Sequence, residues 1–317
     1  MSETAVVHLV RAANGIEAFE AFLDSYSRHP AGAEHDLVLL LKGFSSERQA
    51  QAHLDLAGEL ISEKVFVDDE ELDLGAYATT AERLDHRRLC FLNSFSVVRA
   101  PSWLELLGAA HAGTSVGIVG ATGSWGSIRS YSRFMLGLHG PYHGVFGDRR
   151  STVALLNAVN EEPQDGAPRS SQRGIPFVSF ARALIEQAHG FLPFPAHHLR
   201  TNGFMIDRDV LLGLGTGEIR RKADAYRLES GRESLTLRLE RQGLEALVVG
   251  RNGMSYRHGE WPASATFWQG AQENLLIADK QTVKYDAADR LGKEALARYA
   301  WGRRGGVTAV PAGQVTS

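Results

Sequence analysis

Three carboxylates stand close together in Lys222-Ala223-Asp224-Ala225-Tyr226-Arg227-Leu228-Glu229-Ser230-Gly231-Arg232-Glu233. Asp224, Glu229 and Glu233 are of a type that takes a proton from a hydroxyl held within hydrogen-bond reach. Upstream, His197-His198-Leu199-Arg200-Thr201-Asn202 sets a guanidinium beside two imidazoles. Arg200 offers the planar fork of donors that suits phosphate oxygens, and Arg232 and Lys42 are further cations of that use. Asp68-Asp69-Glu70-Glu71-Leu72-Asp73 carries five carboxylates in six residues. Asp69 and Asp73 could there hold a hard cation such as Mg²⁺ or Mn²⁺, although such a run is also a common solvated loop. Trp125, Trp261 and Trp268 present faces on which a sugar ring could stack, or simply fill the core.

One motif tempts in another direction. Gly120-Ala121-Thr122-Gly123-Ser124-Trp125-Gly126 follows an apolar run and matches a glycine-rich dinucleotide fingerprint. A ribose-binding acid is expected about 20 residues later, but His139 and Gly140 occupy that region. A loop lining another pocket is the better reading.

The elements that must position these groups alternate between strand and helix. Residues 5–10, 37–41, 64–67, 89–92 and 115–119 read as short apolar strands. Residues 16–26, 47–60, 74–84 and 102–112 read as helices, the first with Ile16, Phe19, Phe22, Leu23 and Tyr26 at spacings of three and four. That alternation predicts βαβ units and a largely parallel, nucleotide-binding type of sheet. Residues 137–174 are rich in Gly, Pro, Ser, Arg and Asp, which predicts an insertion or mobile loop. Helix signals resume over 177–188, and 305–317 reads as a loose tail.

Composition narrows the function. With 44% hydrophobic and 22% charged residues the chain is an ordinary globular protein, and a net charge of −3 argues against nucleic acid. The single cysteine, Cys90, excludes an internal disulfide and a multi-cysteine metal site. Met1-Ser2-Glu3-Thr4 lacks the layout of a signal peptide. No apolar run approaches the ~20 residues that span a bilayer. A cytoplasmic location is expected, with peripheral membrane contact open.

The order of landmarks resembles the GT-A-type glycosyltransferases, in particular the family 2 group with its bacterial rhamnosyltransferase-like enzymes. The matching stretches are Val10-Arg11-Ala12-Ala13-Asn14-Gly15, Leu72-Asp73-Leu74-Gly75-Ala76-Tyr77 and Leu92-Asn93-Ser94, followed by Trp103-Leu104 and Val116-Gly117-Ile118-Val119-Gly120. Farther on come Thr201-Asn202-Gly203-Phe204-Met205-Ile206-Asp207-Arg208 and Leu237-Arg238-Leu239-Glu240-Arg241-Gln242-Gly243, with His258 beyond the next strand.

The resemblance implies a GT-A-like mixed sheet over residues 1–260, flanked by helices, with the 137–174 insertion and a C-terminal helical extension over 261–304. It implies a nucleotide-sugar donor, a glycan or glycoconjugate acceptor, an inverting mechanism and a place in bacterial polysaccharide biosynthesis. It places Arg11, Ala12, Asn14, Asp73, Tyr77, Asn93, Ser94 and Asn202 at the donor, and the cations Lys42, Arg200 and Arg232 join them as candidates for its phosphates on their chemistry. Trp125, His198 and His258 would meet the acceptor. Glu229 is preferred as the base over Glu233 and Asp224, at a turn before a helix beginning near Glu233.

Three departures matter. Lys42 stands where the family usually has a base-reading Asp, Phe95 falls on its metal-binding Asp, and Gly231 and Arg232 fall on its Glu-Asp pair. Metal-independent transfer, with cations neutralising the leaving diphosphate, is therefore expected, while Mg²⁺ or Mn²⁺ stays compatible. Two rivals keep their place: a non-catalytic GT-A-like nucleotide- or glycan-binding protein, and a nicotinamide-dependent oxidoreductase built on the glycine loop.

Overall fold

The computed structural model describes residues 2–70, 72–146, 148–160, 188–215 and 222–305. Its first half runs β1 (Thr4–Arg11), α1 (Glu17–Arg28), β2 (Asp36–Lys42), α2 (Glu47–Ala57), β3 (Glu63–Val67), α3 (Asp73–Arg83), β4 (Arg88–Leu92), β5 (Val97–Val98), α4 (Trp103–His111), β6 (Val116–Gly120) and β7 (Gly123–Ser124). It continues through α5 (Ile128–Met135), α6 (Arg149–Asn160), β8 (His198–Leu199), β9 (Gly203–Asp207), α7 (Arg208–Gly213), α8 (Lys222–Ser230), α9 (Leu235–Arg241), β10 (Glu245–Val249) and β11 (Ser255–Tyr256). The last elements are β12 (Ile277–Ala278), α10 (Lys280–Ala287) and α11 (Arg290–Trp301).

Eight strands form one mixed sheet in the order β11-β10-β6-β9-β4-β1-β2-β3. β3, β2, β1 and β4 are parallel neighbours; β9 runs antiparallel between β4 and β6, and β10 is parallel to β6. This is the expected α/β mixed sheet flanked by helices.

The strands are almost wholly apolar because both faces are covered. Alternation sorts them. Ala5, Val7 and Leu9 of β1, with Leu89 and Phe91 of β4, pack under Leu74, Leu211, Leu228, Leu239 and Leu296. Val6 and Val10, with Cys90 and Leu92, pack instead with Phe19, Phe22, Ala50, Trp103 and Leu104. His8 shares that second face; it is fully buried and stacks on Phe22 with ring centroids 3.6 Å apart.

Two stretches add detail to the sequence expectation, and the second corrects it. The 137–174 segment contains a 3₁₀ turn, Pro141–Gly144, and the helix α6, which packs on α11; residues 147 and 161–174 lie outside the described ones. Glu229 lies in the last turn of α8 rather than in a turn, and α9 begins at Leu235 with Ser234 as its cap. Gly231 closes α8: its N–H donates to Arg227 O at 2.9 Å, and a Cβ there would stand 2.5 Å from that oxygen. Of the helix signals over 177–188 and the tail over 305–317, residues 177–187 and 306–317 lie outside the described ones.

Candidate active site

The C-terminal ends of β1, β2, β3, β4 and β6 share one edge of the sheet, the edge where open α/β sheets bind ligands. β9 begins there too, since Gly203 pairs with Leu92. Most of the residues expected to meet a donor therefore converge, although 191 positions separate Arg11 from Asn202 in number.

At the β1–β3 side the edge is built from ion pairs. Arg11 Nε donates to Asp69 Oδ1 at 2.9 Å, and this bond, with the guanidinium charge, holds the Asp69 carboxyl below its usual range. Lys42, buried, donates to Asp73 Oδ1 at 3.0 Å from the first turn of α3. Each of the two candidate cation ligands is thus already paired with a protein cation.

At the centre, Asn14 Nδ2 donates to Ser94 Oγ at 2.8 Å. Asn93 accepts at Oδ1 from the Phe95 N–H and from Ser96 Oγ, both at 3.1 Å, making a tight polar turn after β4. Phe95 itself lies beneath Lys280, whose Nζ is 5.3 Å from the ring centroid. Asn202 accepts from Thr122 Oγ1 at 2.7 Å, while its Nδ2 and the Tyr77 hydroxyl are buried with no hydrogen-bond partner among the described residues. Buried donors of that kind call for a ligand or water to satisfy them. Ala12 sits in a half-buried 3₁₀ turn beside them.

Glu229 and Arg200 meet in an open cavity of about 520 Å³ next to this edge. Ser124, Gly126, His198, Phe267, Trp268 and Tyr299 contribute to its walls. Arg200 is fixed on two sides, donating from Nη2 to Asp279 Oδ2 at 2.7 Å with its guanidinium 4.2 Å above the Phe267 ring centroid. Glu229 Oε1 accepts from Thr201 Oγ1 at 3.3 Å. Burial raises the Glu229 carboxyl above its usual value, a push reinforced by Asp279 and opposed by Arg200 and Thr201. Tyr77 links the two halves of the edge, because both Asp73 and Glu229 raise its phenol beyond what burial alone does. Burial lowers His198 to about 4, leaving a neutral imidazole that meets Ala196 O at 2.8 Å.

The other expected residues lie apart from the cavity. Glu233 is exposed and pairs with Arg241 at 3.0 Å, and Asp224 faces Arg227 at 3.7 Å. The Arg232 N–H donates to Gly190 O at 2.9 Å. Trp125 packs on Trp301 and donates from Nε1 to the His258 carbonyl at 2.9 Å. His258 is half exposed beside Glu240. Two larger clefts, of about 970 and 740 Å³, run along α11 and contain none of the residues expected at the site.

The glycine loop has a packing cause. A Cβ on Gly123 would come within 2.7 Å of the Trp261 ring, and one on Gly126 within 2.9 Å of Tyr299. These glycines let the loop lie flat on aromatic rings, and Ser124 and Gly126 then line the cavity. Sequence reasoning missed Asp279, Phe267, Tyr299 and Lys284 as cavity neighbours. A signal for Asp279 existed in Asp279-Lys280-Gln281-Thr282, the spacing of a capping box.

No family model matches the chain, and no curated protein matches it. Among solved structures it is similar to a mannosyltransferase from Pyrobaculum calidifontis in complex with GDP-mannose and Mn²⁺. The identity is 18%, the TM-score 0.27, and the match covers 37% of this chain and 34% of that one. The match thus spans about a third of that enzyme's length.

Proposed function

We propose that the chain is a GT-A-like glycosyltransferase that moves a sugar from a nucleotide-activated donor to a glycan or glycoconjugate hydroxyl. The observation that carries this reading is that Glu229, a carboxyl raised by burial, and Arg200 line one aromatic-walled cavity next to the ligand-binding edge of the sheet. A general base works best with a pKa near the working pH, and burial moves Glu229 in that direction.

In this scheme the donor nucleotide lies along the ends of β1, β2 and β4, over Arg11, Asn14, Lys42, Asp73 and Ser94. Tyr77 and Asn202 lie beneath it, each with a buried donor that has no partner among the described residues. Arg200, held by Asp279, faces charge developing on the leaving diphosphate. Glu229 takes the proton of the attacking hydroxyl, the sugar bond to diphosphate breaks, and the acceptor oxygen bonds to the anomeric carbon with inversion. Trp268 and Tyr299 offer ring faces to the sugars. Since Asp69 and Asp73 are each engaged by a cation of the chain, the scheme routes no step through a metal; Mn²⁺ or Mg²⁺ would have to displace Arg11 or Lys42 to bind there.

A second reading is favoured by those same ion pairs, which fill the edge with charges that neutralise one another: a GT-A-like protein that binds a nucleotide or glycan without transfer. A panel of nucleoside diphosphates and nucleotide sugars, each with and without Mn²⁺, separates the readings from their common rival. Thermal stabilisation by at least one uridine, guanosine or thymidine diphosphate compound is expected. Stabilisation by NAD(P) alone, or by no nucleotide, overturns both.

A further inference from the structure

We infer that His197, Glu240 and His258 form a binding site for one transition-metal dication of the zinc class, separate from the cavity that holds Glu229. Three remote segments deliver the ligands: the residue before β8, the last turn of α9 and the loop after β11. Their donor atoms all lie within 4.8 Å of one another. His197 Nε2 is 2.8 Å from Glu240 Oε2, and His258 Nδ1 is 3.5 Å from Glu240 Oε1. Among the described residues this is the one group of three histidine, cysteine or carboxylate side chains so spaced.

Without an ion, His197 and Glu240 are joined by a hydrogen bond of 2.8 Å, and the three side chains converge closely enough to enclose one ion. The two imidazoles stack nearly parallel, 4.4 Å between centroids and 20° between planes, so both turn a nitrogen toward one carboxylate. A metal takes imidazole in its neutral form, and here it would replace the hydrogen bond between His197 and Glu240. Tetrahedral ligands at Zn–N and Zn–O bonds of ~2.1 Å stand ~3.4 Å apart; the 3.5 Å between His258 and Glu240 Oε1 matches that spacing, and His197 would draw back by about 0.6 Å from Glu240 Oε2 to admit an ion. Two nitrogens and one oxygen suit zinc, copper or nickel ahead of magnesium or calcium.

The surroundings hold the ligands in place. Trp125 Nε1 binds the His258 carbonyl at 2.9 Å, and the Trp261 ring packs edge-on 6.3 Å from His197. His258 is 55% exposed, which leaves room for water as a fourth ligand. Successive residues of an extended segment face opposite ways, so His197 points to Glu240 while His198 and Arg200 point into the cavity. An ion here would tie α9 and the loop after β11 to the back of the cavity wall. Nothing in this assignment depends on sugar transfer.

The test uses full-length, untagged protein stripped with a chelator, then titrated with Zn²⁺ by calorimetry and with Co²⁺ by visible absorption. One equivalent of Zn²⁺ is expected to bind and raise Tm, and Co²⁺ is expected to give the ligand-field bands of a four- or five-coordinate site. His258→Ala, at a half-exposed position, and Glu240→Gln are each expected to lower Zn²⁺ affinity by ~100-fold and to abolish the bands, while His139→Ala leaves both intact. Wild-type protein that takes up neither metal overturns the assignment. So do variants at His258 and Glu240 that bind as tightly as wild type, or an equal loss in the His139 variant.

Discussion

Arg200 and Asp279 form a buried ion pair, 2.7 Å from Nη2 to Oδ2, in which the carboxylate that caps α10 also aims the guanidinium beside Glu229. One side chain therefore carries two loads. Asp279 Oδ1 accepts the Thr282 N–H at 2.9 Å, and Thr282 Oγ1 in return accepts the Asp279 N–H at 2.7 Å.

Removing that carboxylate leaves a cation unpaired in a largely buried place and a helix uncapped. Asp279→Ala is expected to lower stability by about 3 kcal/mol in a denaturant titration. Asp279→Asn keeps part of the cap and should lose less. Equal stability of Asp279→Ala and wild type would show that the pair does not hold the wall.

Glu229 should reveal itself through opposing effects. Its carboxyl is raised in the folded state, so the stability it contributes is full below its unfolded pKa and is lost as pH rises through the folded one. The ionised form of Glu229 is therefore the destabilising one. Glu229→Gln is expected to raise Tm by a few degrees at pH 7 and to gain nothing near pH 4. The same change should cut turnover by ~100-fold or more, and wild-type activity should fall on acidification through an apparent pKa above the usual carboxylate range.

His8 titrates in the opposite sense. Burial against Phe19 and Phe22 lowers it to about 3 from 6.5. The unfolded chain therefore binds a proton that the fold refuses, and the stability it adds above pH 6.5 is lost as pH falls toward 3. Relative to His8→Leu, wild-type stability should fall by about 1.4 kcal/mol per pH unit between pH 6 and 4. Parallel pH profiles for the two proteins would contradict this.

The strands and their helices are legible in the sequence because burial on both faces demands unbroken apolar runs such as Leu37-Val38-Leu39-Leu40-Leu41. The gathering of Arg11, Asn14, Lys42, Asn93 and Ser94 is legible through order along the chain, since each ends or closely follows a strand that finishes at the same edge. Glu229 and Arg200 are visible as residue types, but their meeting is not. It depends on Asp279, 79 positions away, and on the stretch around Phe267 and Trp268, where Ala265, Trp268 and Gln272 adopt positive φ and no periodicity exists to read. Glu240 looks like an ordinary polar position on α9, because its histidine at 197 lies 43 positions away.

Gly123 tests whether the glycine loop serves packing. Gly123→Ala drives a methyl into Trp261 and is expected to cost about 2 kcal/mol, with the Ser124 wall of the cavity displaced. A neutral substitution, measured by thermal and denaturant unfolding, would point to a cause other than close approach.

Nucleoside diphosphate release from a panel of nucleotide sugars, compared between wild type and Glu229→Gln, tests glycosyl transfer most directly. Wild type should release diphosphate from at least one donor, faster with a glycan acceptor present, while Glu229→Gln binds that donor and releases it at least ~100-fold more slowly. Release from no donor, or equal rates in the two proteins, would contradict the assignment of Glu229 and of the transfer itself.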